Sequence, residues 1–215
     1  EAYSFSFCSS LTQLSIPLSV KSIAFCAFTG CTSLKKIEMP DSVKSIAKDA
    51  FSDCSSLAEI TISKFVTSIE EGTFRGCSSL KQIEIPSSVT KIKNLAFYGC
   101  TSLKQVSVPS SVTLIENNAF CGCSSLIKIT IPSSLTEIAD SVFTGCSSLV
   151  EISIPSSVTE IKDSSFCNCH ALMKVSIPSS VKSIGKYAFY DCSSLTQISI
   201  PSSVIKIGNN ALKDV

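Results

Sequence analysis

The chain has 215 residues, with 18 basic and 17 acidic side chains and a single histidine. So even a balance leaves no global field to hold the chain on nucleic acid or on an anionic membrane surface. No run of about 18 apolar residues occurs and no charged start precedes a hydrophobic block, so this stretch carries neither a membrane span nor a secretory signal.

Cysteine recurs at positions 8, 31, 54, 77, 100, 123, 146, 169 and 192, a constant interval of 23 residues. A fixed period of roughly 20 to 50 residues is the mark of stacked repeats. Aligned on the cysteine, the unit reads C-S-S-L-x-x-I-x-I-P-S-S-V-x-x-I-x-x-x-A-F-x-G, almost intact from Cys77 to Gly99. Nine coils, starting at Cys8, Cys31, Cys54, Cys77, Cys100, Cys123, Cys146, Cys169 and Cys192, occupy 8–214. Residues 1–215 are therefore expected to form one solenoid without a linker. Phe5 already holds the phenylalanine position of a preceding unit, and no polar closing segment follows Leu212, so a longer array is expected.

Each coil divides into the same elements in order. The segment Leu-x-x-Ile-x-Ile-Pro, as in Leu149, Ile152, Ile154 and Pro155, has the strand-plus-turn pattern of a leucine-rich repeat, with alternate residues pointing inward. Proline closes the strand in all coils but one, where Ser63 stands, and it suits a strand end because its missing N–H would break a ladder. Beyond it, Val-x-x-Ile and Ala-Phe supply further inward anchors, for example Val89, Ile92 and Phe97. Gly30, Gly76, Gly99, Gly122 and Gly145, with Asp53, Asn168, Asp191 and Asp214 in the same place, predict a turn with positive φ before each cysteine. The expected coil has a short parallel β-strand on the concave face and a second short extended segment or turn on the other side. One coil alone cannot offset the ordering of its residues, at about 1.5 kcal/mol apiece, so stacking supplies the stability.

Of the twelve cysteines, nine lie in phase. Stacked equivalents sit about 4.8 Å apart with parallel Cβ vectors, longer than the ~3.8 Å Cβ separation a disulfide prefers. Buried free thiols acting as small hydrophobes are the expectation. Cys26, Cys121 and Cys167 are out of phase and are not expected to pair.

The Ile-Pro-x-x-Val-x-x-Ile-x-x-x-Ala-Phe-x-x-Cys-x-x-Leu run, repeated along the whole chain, resembles the BspA-like leucine-rich repeats. That resemblance implies a surface or secreted microbial protein that adheres to host matrix, host cells or other microbes, with no catalytic site in its repeats. Where asparagine often forms a ladder after the strand, this chain has Ser19, Ser42, Ser88, Ser111, Ser134, Ser157, Ser180 and Ser203, with Phe65 as the exception, so the usual asparagine ladder is not carried over.

Candidate sites are few. His170 replaces the Ser or Thr of other coils, which fits surface drift better than catalysis. Cys121/Cys123 and Cys167/Cys169 have the spacing of metal ligands, yet no histidine or second pair completes a tetrahedral set. Glu137, Asp140, Glu160 and Asp163 stack in adjacent coils and form either a Ca²⁺ site or a solvated acidic patch beside Lys162. No metal or other cofactor is expected.

Outward residues of the strands form two polar columns, one including Lys128, Glu151 and Lys174, and neither holds an aromatic or an arginine. Just before the strand, Ile127, Val150 and Met173 stand in three successive coils where Thr12, Lys35, Ala58, Lys81, Lys104 and Thr196 stand elsewhere. That apolar ridge either packs beneath a loop or marks a partner site together with Lys128, Glu151 and Lys174. The expected function is a non-enzymatic adhesion module presenting a repetitive face to host or neighbouring proteins or glycans, with end-to-end self-association between exposed terminal coils. The alternative is an intracellular scaffolding array, which free cysteines and the absence of any Asn-x-Ser/Thr sequon would suit.

Overall fold

The computed structural model describes all residues, 1–215, as a parallel β-solenoid without a helix. Coils are numbered here from one (Cys8–Gly30) to nine (Cys192–Asp214). Two strands recur per coil. The inner strands are β2 (Lys36–Glu38), β4 (Glu59–Thr61), β6 (Gln82–Glu84), β8 (Gln105–Ser107), β10 (Lys128–Thr130), β12 (Glu151–Ser153) and β14 (Lys174–Ser176). Gln13 and Ser199 extend this face through single bridges in coils one and nine. Flank strands of two residues follow the turn after each inner strand, which opens with proline except at Ser63: β1 (Ser22–Ile23), β3 (Ser45–Ile46), β5 (Ser68–Ile69), β7 (Lys91–Ile92), β9 (Leu114–Ile115), β11 (Glu137–Ile138), β13 (Glu160–Ile161), β15 (Ser183–Ile184) and β16 (Lys206–Ile207).

Pairing joins residues one period apart, as Gln82 with Gln105 and Ile83 with Val106, so identical positions stack in columns. In every inner strand the central residue is buried and its neighbours are exposed, the alternation a one-sided strand requires. The third side of the coil is neither strand nor helix. Its N–H groups alternate: Phe74 and Gly76 donate to Ala96 and Tyr98 of the next coil at 2.9 and 2.8 Å, while Thr73, Arg75 and Cys77 donate back within their own turn at 3.0–3.2 Å. Every second amide thus ties one coil to the next without a β-ladder.

Two residues per coil adopt positive φ on this side. The anticipated column is present, with Gly99 at 70°, Asn168 at 60° and Asp191 at 54°. A second column four residues earlier was not anticipated and runs through Cys26, Asp49, Gly72, Leu95, Asn118, Ser141, Ser164, Tyr187 and Asn210 at 51–61°. Leu95 and Tyr187 hold this conformation against the roughly 1–2 kcal/mol it costs an L-residue, because flanking amides are fixed by the inter-coil bonds.

One continuous core of 62 buried residues runs the length of the chain, so no boundary divides it into separate cores. Its spine is a phenylalanine column from Phe5 to Phe189, with neighbouring rings stacked at 5.1–5.9 Å. All twelve cysteines are free; the in-phase column is buried from Cys31 onward, and Cys8 is exposed. These thiols are more than small hydrophobes. Cys100 Sγ donates to the Phe74 carbonyl at 3.1 Å, and the same bond recurs from Cys31 to Cys192 at 3.0–3.3 Å. Serine likewise replaces the asparagine ladder with one of its own. Ser88, Ser111, Ser180 and Ser203 donate to the valine carbonyl of the preceding coil at 2.6–3.0 Å, as Ser134 does to Val112.

Candidate functional site

The residue before each inner strand has its side chain outside the core and its backbone inside the ladder. Ile127 N–H donates to Lys104 O at 2.9 Å, Val150 N–H to Ile127 O at 3.4 Å and Met173 N–H to Val150 O at 2.8 Å, which holds the three side chains in line. No loop covers them: Ile127, Val150 and Met173 are 50%, 37% and 59% exposed. The ridge is therefore a surface feature, and packing beneath a loop is overturned.

Beside the ridge, Lys128, Glu151 and Lys174 point outward from β10, β12 and β14. Glu151 lies in register with Lys174, yet none of the three forms an ion pair within 4.0 Å. They line a groove of 520 Å³ together with Thr130, Ser153 and Ser176, the other outward residues of the same strands. The arrangement offers an apolar edge, hydroxyls and unpaired charges of both signs, which suits contact with a macromolecular surface more than enclosure of a small molecule. A larger groove of 800 Å³ lies between coils one and two, where Lys36 pairs with Glu38 at 2.7 Å and lies 3.7 Å from Glu59. That hydrogen-bonded pairing raises the Lys36 ammonium and lowers the Glu38 carboxyl from their ordinary values.

Other sequence candidates come apart in space. Glu137 is held by Lys162 Nζ at 2.9 Å, Asp140 accepts the Asp163 N–H at 3.1 Å, and Asp163 accepts the Lys186 N–H at 2.7 Å. These carboxylates serve as caps between coils, and no three acidic, histidine or cysteine side chains converge as a metal site. Burial, then Cys167, pushes the Cys121 thiol up; burial, then Asp191, does the same to Cys167, the opposite of what a thiolate ligand needs. His170 is exposed and lies 3.1 Å from Asp191 Oδ2 with no nucleophile bonded to it. One exposed apolar residue was legible only as the exception in the serine column: Phe65, 50% exposed, with Lys64 Nζ 5.4 Å from its ring centre and 2.6 Å from Asp41.

Stacked coils with a buried column core and a charged, groove-bearing strand face define a repeat binding module. The model of the BspA type leucine rich repeat region matches residues 1–127 and 113–215, and the chain belongs to that family. Its members are generally non-catalytic interaction scaffolds, often surface proteins. A leucine-rich repeat protein from Bacteroides ovatus superposes with a TM-score of 0.85 at 34% identity, over 88% of this chain and 49% of that one, so the present chain spans about half its length. A Treponema relative, the T. pallidum leucine rich repeat protein, gives 0.71 at 33% identity over 74% of this chain and 77% of that one. A leucine rich cell surface protein from Faecalibacterium prausnitzii gives 0.60 at 29% identity over 100% and 72%. No curated protein matches the chain.

Proposed function

We propose that this chain is the non-enzymatic adhesion module of a microbial surface protein, binding proteins or glycans of a host matrix or a neighbouring cell through its strand face. The observation that carries this reading is the exposed Ile127–Val150–Met173 ridge beside Lys128, Glu151 and Lys174, since an apolar edge that water must leave is what a repeat face of serines and threonines otherwise lacks. The likeness to a cell surface protein of Faecalibacterium prausnitzii supports the location. Weak contacts repeated along coils gain by avidity. The second reading, an intracellular scaffold, is favoured by the twelve free thiols. The test is a panel of matrix proteins and glycans probed with the protein immobilised in several copies. Saturable binding to at least one of them is expected, and no binding across the panel sinks the adhesion reading.

A further inference from the structure

The stack is not uniform. Successive phenylalanine rings lie 5.1–5.2 Å apart and 5–7° from parallel along Phe5–Phe28–Phe51, Phe97–Phe120 and Phe166–Phe189. Phe74 departs from its neighbours, at 5.9 Å and 13° below and 5.4 Å and 19° above. Phe143, three coils on, repeats the departure, at 5.9 Å and 15° below and 5.4 Å and 18° above.

Hydrogen bonds break at the same two levels. At regular junctions the flank strand is bracketed by two bonds, as Thr113 N–H to Thr90 O and Glu116 N–H to Ile92 O, both 2.9 Å. No equivalent bond joins Thr67 to Lys44, Glu70 to Ile46, Thr136 to Thr113 or Ala139 to Ile115. Accordingly β5 does not pair with β3, nor β11 with β9; one half-coil later β6 does not pair with β4, nor β12 with β10. Coil three therefore stacks on coil two through its inner strand and on coil four through its flank strand. Coil six divides between coils five and seven in the same way.

One core position explains the spacing. The small residue before each phenylalanine is alanine in Ala50, Ala96, Ala119 and Ala188, all fully buried, but Thr73 and Val142 in coils three and six. Ser165 provides an internal control. Its hydroxyl bonds Lys162 O at 2.6 Å as Thr73 bonds Glu70 O at 2.8 Å, yet serine has no second γ atom, and β13 stays paired with β11. The branched γ atom, rather than polarity, tracks with the break, as a close-packed column predicts.

We infer that coils three and six are joints, set by Thr73 and Val142, at which three stiff blocks of the solenoid pivot. Each junction that coil three or coil six makes has lost one of its three sides, the flank bonds toward the preceding coil and the inner-strand pairing toward the following one, so opening costs less there than at a regular junction. Ile127 belongs to coil six and Val150 to coil seven, so the ridge crosses the unpaired inner-strand junction of the second joint, although the joint itself does not depend on that ridge binding anything.

The test is amide hydrogen exchange resolved to single residues on the whole protein. Thr67, Glu70, Thr136 and Ala139 should exchange at least about fivefold faster than Thr113 and Glu116, the factor for about one net hydrogen bond. Val142→Ala should slow Thr136 and Ala139 to the level of Thr113 and Glu116 while leaving Thr67 and Glu70 fast. Ala119→Val should create a new fast step at Thr113 and Glu116. Equal protection of all six amides in the native protein overturns the joints. Leu135 of coil six stands in a column that is valine in every other coil, so unchanged exchange in Val142→Ala, or slowing by Leu135→Val instead, overturns the role of Val142.

Discussion

The phenylalanine column should carry a larger share of stability in mid-stack than at its start. Phe97 is fully buried between Phe74 at 5.4 Å and Phe120 at 5.1 Å. Truncation to alanine removes a buried ring, for which about 3–5 kcal/mol is typical, and that figure includes two stacking partners at about 0.5–1.5 kcal/mol each. Phe5 is 39% exposed and has one stacked neighbour, Phe28, at 5.2 Å. Scaling the roughly 1.5–3 kcal/mol of full burial by its buried share gives about 1–2 kcal/mol for Phe5→Ala. Urea unfolding of both variants, monitored by far-UV circular dichroism, reads the difference, and a second transition in Phe97→Ala would show the two halves uncoupling. A cost under about 1 kcal/mol for Phe97→Ala, or equal costs for the two variants, would refute the column as the spine.

Burial pushes the Cys54 and Cys192 thiols from 9.0 up to about 12, so the folded chain keeps protons that the unfolded chain releases. Their contribution is complete below pH 9.0 and is lost as pH climbs toward about 12, so the melting temperature should hold from pH 7 to 8 and fall above 9; a flat alkaline profile contradicts it. Ser88→Ala removes a 2.6 Å bond to Val66 O and should cost about 1 kcal/mol in urea unfolding, whereas Ser157→Ala removes a buried hydroxyl without a partner and should cost nothing or stabilise. Equal effects would show that the serine ladder contributes no bond energy.

The solenoid was legible because its period is written in residue types that each have one physical use: Phe97 for the spine, Pro86 for the strand end, Gly99 for positive φ. The second positive-φ column escaped because Leu95, Ser141 and Tyr187 carry no such preference and are forced there by inter-coil bonds. Thiol and serine ladders were invisible for a similar reason, since a carbonyl acceptor such as Phe74 O or Val66 O exists only once the coils are stacked. Thr73 and Val142 read as ordinary variation at a small-residue position, and only ring spacing and missing bonds reveal their effect. For the site, the sequence located the ridge as a column, but whether Ile127, Val150 and Met173 were covered depended on the path of neighbouring turns.

The binding account rests on that ridge, and one comparison tests it most directly: surface-plasmon binding of the native protein and of an Ile127→Lys/Val150→Thr/Met173→Lys variant to immobilised host matrix proteins and glycans. Other coils already carry lysine or threonine at this position, so the variant should unfold within about 0.5 kcal/mol of the parent per site. Binding by the native protein should fall at least about tenfold in this stable variant, the loss of an apolar anchor. Undiminished binding by a stably folded variant, or a variant that melts far below the parent, would contradict it.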